Sequence, residues 1–194
     1  MTTASDPIRE FGAWFEQASV LAPFDPTAMA LATADAAGRP AVRWVLLRGF
    51  DERGFVFFTN YESRKADELA ANPHAALAVH WPWIERQVRI EGRVERLDET
   101  ASDDYFRGRP RGHQIGAWAS RQSRPLADRA ELSRRVAEFT ERFAQAPVPR
   151  PPFWGGFRIA PEAIELWRGR PDRLHERRRF DFVAGNWRET ALYP

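Results

Sequence analysis

The chain has 194 residues, of which 43% are hydrophobic and 13% aromatic. That is enough for one domain with a sizeable core and too apolar for a disordered chain. It contains no cysteine, which excludes disulfides, thiolate metal sites and cysteine nucleophiles together. The 29 basic and 27 acidic residues leave a net charge of +2. With the acids interspersed throughout, that is a poor footprint for nucleic acid.

Met1 to Pro7 has neither a basic start nor an apolar run, so no secretory signal is expected. Apolar runs such as Phe55-Val56-Phe57-Phe58 are far too short for a membrane span. The expectation is a cytoplasmic protein. Asp6-Pro7 predicts an N-cap and first helical position, followed by Ile8, Phe11, Phe15 and Ala18 at helical spacing. A strand is predicted over Met29 to Thr33 and a turn over Asp35 to Pro40. A second strand follows from Ala41 to Phe50, then a hairpin turn at Asp51 to Gly54 and a third strand at Phe55 to Thr59. Ser63 is placed to cap a short helix running to Asn72-Pro73, and Ala75 to Trp81 is the next strand. Gln87 to Glu95 alternates, with Val88, Ile90 and Val94 facing one way and Gln87, Arg89, Glu91, Arg93 and Glu95 the other. That is a half-buried antiparallel strand.

Thr100 to Arg107 predicts a helix. A longer one starts at the capping box Asp128–Glu131, with Leu132, Val136, Phe139 and Phe143 as its apolar stripe. Pro147 to Pro152 is a linker too short to separate domains. Strands are predicted at Gly156 to Ile159, Ala163 to Trp167, Arg173 to Arg179 and Trp187 to Leu192, with Gly185-Asn186 as a turn. Short, hairpin-connected strands interrupted by helices fit a mainly β antiparallel barrel with peripheral helices, not a parallel sheet. No Gly-x-Gly-x-x-Gly follows a strand, so a Rossmann-type dinucleotide site is unsupported.

Three constellations could carry chemistry. Ser63-Arg64-Lys65 lies at a helix start, where free amides and two cations make a phosphate cradle. Lys65 is the only lysine beside 28 arginines. The arginine excess reads as codon bias, which makes the one ammonium, a compact point charge, the more notable. Arg173, His175 and Arg177 share one face if they lie on a strand, with Trp167 upstream. Such an aromatic and cationic surface suits a planar anion; an edge strand blunted by charge is the plainer account. Tyr105 to Gln114, with Arg107, Arg109, Arg111 and His113, could bind a second phosphate or be only a basic loop. The four histidines show no metal spacing, so no metal is expected. Two phosphate-type cradles point to a phosphorylated planar cofactor and a phosphorylated substrate.

Eight segments in order resemble the pyridoxine/pyridoxamine 5′-phosphate oxidase family. They are Arg43 to Arg48, Phe57 to Asn60, Ser63 to Lys65, Glu85 to Val88, Tyr105-Phe106 with Arg109-Pro110, Gln114 to Ser120 with Gln122-Ser123, Trp154 to Arg158, and Arg173 to Arg177. Each is weak alone, and their order and spacing fit from about Ala28 to Pro194. The resemblance implies an antiparallel FMN-binding split β-barrel, a homodimer with two FMN sites at its interface. The 194 residues form one domain, with an N-terminal helix region over 1–22 and strands over 163–194 completing the active site. It implies cofactor binding by Arg43, Trp44, Val45, Leu46, Leu47 and Arg48. Arg64, Lys65, Gln122 and Ser123 join Arg43 at the FMN phosphate and ribityl, Phe58 and Thr59 line the flavin, and Gln87 bonds its edge. Trp167 and Arg177 contact it from the partner subunit. For the substrate it implies Arg48, Tyr105, Arg109 and His113 at the phosphate and Arg173, Leu174 and His175 over the ring, with Arg173 and His175 catalytic. Three residues depart from the family pattern: Arg48 for a lysine, His113 for a serine and Glu176 for an aspartate.

The implied reaction moves a hydride equivalent from C4′ of pyridoxine or pyridoxamine 5′-phosphate to FMN and on to O₂, giving pyridoxal 5′-phosphate and hydrogen peroxide, with ammonia from the amine. No membrane or nucleic-acid partner is expected. The alternatives are a related flavin oxidase of the phenazine-biosynthesis type and a non-catalytic flavin- or haem-binding split barrel.

Overall fold

The computed structural model describes residues 6–194, so most of the segment read for a secretory signal lies outside the described residues. Asp6 accepts hydrogen bonds from the amides of Ile8 (2.9 Å) and Arg9 (3.4 Å), capping α1 (Pro7–Val20) as its sequence dictates. α1 lays Phe11, fully buried, against Phe50 and Phe55, each at 4.9 Å and nearly perpendicular. This ties the helix to the sheet.

Among the described residues nine strands form one antiparallel sheet: β1 (Ala28–Ala34), β2 (Pro40–Leu46), β3 (Gly49–Asp51), β4 (Gly54–Asn60), β5 (His74–Trp81), β6 (Arg86–Arg96), β7 (Trp154–Arg168), β8 (Glu176–Val183) and β9 (Asn186–Leu192). The path runs β2-β1-β5-β6-β7-β4-β3, with β8 and β9 added on β7. Leu31, Leu77, Ile90, Ile164 and Phe180 lie in register across β1, β5, β6, β7 and β8. All are essentially inaccessible and form the spine of the core. The sheet curls so that β2, at one edge, returns beside β4. The Leu47 amide bonds Thr27 and the next amide, Arg48, bonds Val56 of β4 (both 2.8 Å). A second, smaller core of Phe106, Ile115, Phe139, Phe143 and Trp154 forms where α3 (Glu99–Arg107), α4 (Arg111–Ala119) and α5 (Arg129–Arg142) cover the start of β7. No helix among the described residues is long and apolar enough to cross a membrane.

The structure corrects four expected elements. Ala41 to Phe50 is two strands, because Leu47 turns into the core just where the chain leaves β1 for β4. Gly156 to Ile159 and Ala163 to Trp167 are one 15-residue strand, β7. Pro161 is tolerated there because it sits at a bulge against Glu91/Gly92. A Cβ on Gly92 would stand 2.0 Å from the Ala160 carbonyl oxygen, so only glycine allows that approach. Arg111 to Ala119 is helical, with the buried Gln114 amide bonding the Phe106 and Arg107 carbonyls at the end of α3. Finally, β8 begins at Glu176, not Arg173. Pro171–Arg173 is a tight turn with positive φ at Asp172 (57°) and Arg173 (61°).

Asp128 caps α5 by accepting the Glu131 amide at 2.7 Å. Asp128→Ala is expected to cost about 1 kcal/mol and to lower the melting temperature by about 2–4 °C in a chain of this size. Thermal unfolding followed by circular dichroism measures it; an unchanged midpoint means that packing alone holds α5.

Candidate active site

A cavity of about 930 Å³ opens where the curled sheet brings β2 beside β4, with the α3–α4 connection as its far wall. Arg43, Trp44, Val45, Leu46 and Arg48 line one side and Phe58, Thr59 and Lys65 the other, while Tyr105, Arg109, Pro110, His113, Gln122 and Trp154 close the end. Residues predicted for the cofactor phosphate and residues predicted for the substrate phosphate thus share one space.

At the first end, α2 (Arg64–Ala71) starts directly after β4. The Ser63 hydroxyl donates to the Asn60 carbonyl (2.7 Å) and does not cap the helix. Lys65, buried, donates from Nζ to Gln122 Oε1 (2.7 Å), Thr59 Oγ1 (3.0 Å) and Ser63 Oγ (3.2 Å). All three are neutral oxygens. Burial pushes the ammonium down to about 8 and the charge of Arg43 adds to this, while Glu68 opposes it. A buried cation facing a cavity, short of a counter-charge, is prepared for an anion.

Glu68 was not among the expected residues. It is 5% exposed and accepts from Arg43 Nη2 (2.9 Å), Arg64 Nε (2.7 Å) and the Thr33 hydroxyl. Burial acts to raise its pKa, but the hydrogen bonds from Thr33, Arg64 and Arg43 outweigh that and hold the carboxyl below its usual range. Its one trace in the sequence is the i,i+4 spacing from Arg64.

At the other end, Tyr105 stacks on Phe58 (centroids 3.8 Å apart, planes 9°), and Phe58 on Trp154 (5.5 Å, 11°). The ladder fits because a Cβ on Gly156 would come within 2.9 Å of the Phe58 ring. The Arg109 guanidinium lies 4.5 Å over Trp154. Its Nη1 is buried with no hydrogen-bond partner among the described residues, and burial lowers its pKa, helped by Arg48 and opposed by Tyr105. Trp154, seen before only as part of a motif, is the platform for Arg109.

The remaining expected residues lie elsewhere. Leu47 is core, Arg64 points to the outer side of α2, and Ser123 sits on an exposed loop with φ 68°. Gln87, Trp167 and Arg177 stand side by side in register across β6, β7 and β8. His175 packs 4.6 Å from Trp167, and its Nδ1 accepts the Arg170 amide (3.2 Å). Arg177 bonds the buried Glu165 through Nε (2.8 Å) and Nη2 (3.2 Å). Arg173 and Leu174 are exposed and, like His175, precede the strand, so the expected shared face does not come from strand alternation. None of this second group lines the cavity. Trp154 and Trp167 are thirteen residues apart on β7, at most about 43 Å along the strand.

Comparison with known proteins is consistent over the whole chain. The family model described as pyridoxamine 5′-phosphate oxidase matches residues 16–143, and that described as the pyridoxine 5′-phosphate oxidase C-terminal dimerisation region matches residues 154–194. The pyridoxine/pyridoxamine 5′-phosphate oxidase of Rubrobacter xylanophilus is 57% identical over 189 residues, covering 97% of this chain and 87% of the relative. That of Anaeromyxobacter dehalogenans is 54% identical over 193 residues, covering 100% and 98%. Among solved structures, PhzG of Burkholderia lata 383 in complex with tetrahydrophenazine-1-carboxylic acid superposes with a TM-score of 0.94 at 34% identity, covering 100% of this chain and 95% of that one. A Nostoc punctiforme FMN-binding protein shares the fold at 19% identity and a TM-score of 0.78. On this evidence the chain belongs to the pyridoxine/pyridoxamine 5′-phosphate oxidase family.

Proposed function

We propose that this protein oxidises pyridoxine and pyridoxamine 5′-phosphate to pyridoxal 5′-phosphate with bound FMN, in the cytoplasm, as a homodimer of single-domain chains. The observation that carries the reading is one cavity with two cationic ends. Arg43 and Lys65 stand at one, and Arg48, Arg109 and His113 at the other. The residues present fit FMN, because the buried Lys65 has only neutral acceptors and would gain a phosphate counter-charge.

When bound, FMN would supply the two-electron acceptor for the hydride equivalent and the proton lost by the substrate, with O₂ as final acceptor giving hydrogen peroxide. Arg43 and Lys65 hold the cofactor phosphate, with Thr59 and Gln122 orienting the ammonium. Arg48, Tyr105, Arg109 and His113 take the substrate phosphate. The Arg109 guanidinium is held 4.5 Å over the Trp154 ring, which fixes its charge at that end of the cavity for a phosphate. His175 accepts a backbone amide at Nδ1, so the neutral ring keeps its proton on Nε2 and presents a donor to the substrate. Arg173 and His175 reach the substrate, and Trp167 and Arg177 the cofactor, from the second subunit. The exposed Val42 and Trp44 of β2 and the match to a dimerisation region support that assembly.

The test is the absorption spectrum of the purified protein and turnover of both phosphorylated vitamers in air, with aldehyde and peroxide measured. A colourless, inactive protein after addition of FMN defeats the reading. The structural likeness to PhzG favours, as a second reading, oxidation of a ring without phosphate. Turnover of unphosphorylated pyridoxine at equal kcat/KM would support it, and the Arg48–Arg109–His113 end speaks against it.

Lys65 also sets a pH dependence. Its pKa of about 8 must rise when a phosphate dianion binds. Below pH 8 the ammonium is charged in both states and affinity for FMN is full. Above it, binding has to take up a proton, so affinity falls by up to about tenfold per pH unit. The phosphate itself is a dianion above pH ~6 and contributes no such fall. Titrating FMN fluorescence with apoprotein from pH 7 to 9.5 should show the bend, and a flat curve means that Lys65 does not meet the phosphate.

A further inference from the structure

We propose that Glu68 is the positioning residue of the phosphate end: a single buried carboxylate that fixes Arg43 and Arg64 and keeps Lys65 in its binding-competent form. The inference rests on reading that end as the FMN phosphate site. Glu68 is not among the residues that line the cavity, so it acts through its neighbours, Arg43 first. Its Oε2 receives Arg43 and Thr33 and its Oε1 receives Arg64. Arg43 is further held by the Leu31 carbonyl at 3.2 Å and by Thr33 Oγ1. The arginine that faces the cavity is therefore anchored from behind by groups on β1 and α2. Its neighbour Arg64, 65% exposed, is drawn to the outer side of the helix.

Charge completes the case. Arg64, on the outer side, offsets the charge of Glu68, which leaves Arg43 and Lys65, two positive charges, at the cavity, the match for a phosphate dianion. The groups facing Lys65 are Thr59 on β4, Ser63 at the start of α2, Gln122 after α4, Arg43 on β2 and Glu68 within α2. Of these only Glu68 opposes the loss of the Lys65 proton. Without its charge two cations face each other with nothing between them until the phosphate arrives.

Two substitutions separate reach from charge. Glu68→Gln keeps the length and an acceptor but removes the charge; Glu68→Asp keeps the charge and shortens the arm. FMN and riboflavin, which lacks the phosphate, are titrated into the apoproteins from pH 6.5 to 9.5, with thermal unfolding as the folding control. In Glu68→Gln the pH above which FMN affinity falls is expected to move down by about one unit. In Glu68→Asp it stays in place while affinity for FMN drops roughly tenfold at every pH, with riboflavin binding unchanged in both. An unmoved bend in Glu68→Gln, or undiminished FMN affinity in Glu68→Asp, overturns the role of Glu68. If Glu68→Gln does not fold, Glu68→Asp alone decides by the same criterion. Lys65→Met distinguishes the underlying reading: if it binds FMN as tightly as the wild type, the phosphate lies elsewhere and the site assignment fails, independently of Glu68.

Discussion

Lys65→Met combined with Arg43→Gln is expected to give a folded protein that keeps no flavin. Methionine fills the volume of the lysine stem, and glutamine leaves an amide to donate to Glu68, so the buried carboxylate retains Thr33, Arg64 and one further donor. Each charge-assisted contact to phosphate contributes about 1.5–3 kcal/mol. Two of them amount to roughly 3–6 kcal/mol, or about 10²- to 10⁴-fold in affinity. The combined loss should fall short of the sum of the single losses, because Arg43 and Lys65 repel each other and removing either relieves the other. For the same reason the apoprotein should melt no lower in Lys65→Met, which no longer buries an ammonium. Dialysis followed by the absorption spectrum reads the result. Flavin retained by the double variant would falsify the placement of the phosphate between β2 and α2.

Much of this was legible in the sequence, and where it was not the reason is tertiary. Alternation in Gln87–Glu95 gave β6 because Val88, Ile90 and Val94 do face the core. The caps at Asp6 and Asp128 depend only on neighbouring residues and were found at both places. Lys65 could be singled out because a lone lysine among arginines is visible without a fold. The division of Ala41–Phe50 was not visible, since Leu47 is as good a strand residue as any until β4 is there to receive the next amide. The continuity of β7 through Pro161 depends on Gly92, which lies about seventy residues away in sequence. Glu68 carries no mark in the sequence beyond its i,i+4 spacing from Arg64, and it becomes central only when β1 and β2 bring Thr33 and Arg43 to it.

Mixing two inactive variants is expected to restore activity. Lys65→Met/Arg43→Gln lacks the cradle, and Arg173→Ala/His175→Ala lacks the groups that meet the substrate. Within one chain those two sets lie in separate places, Lys65 and Arg43 on the cavity wall and His175 packed on Trp167 at the far end of β7. If each active site takes the cradle from one subunit and Arg173 and His175 from the other, a mixed dimer contains one site with both defects and one with none. Random co-assembly makes half the dimers mixed, each with one of two sites intact, so co-expressed variants supplied with FMN should reach about a quarter of wild-type turnover, and purified mixed dimers about half. Were each site built within a single chain, every site in the mixture would carry a defect, and turnover would stay at the level of the separate variants. The size of the recovery therefore counts the chains in the site directly. It does so through residues that leave the hydrophobic core untouched, since Arg173 is exposed and His175 only half-buried.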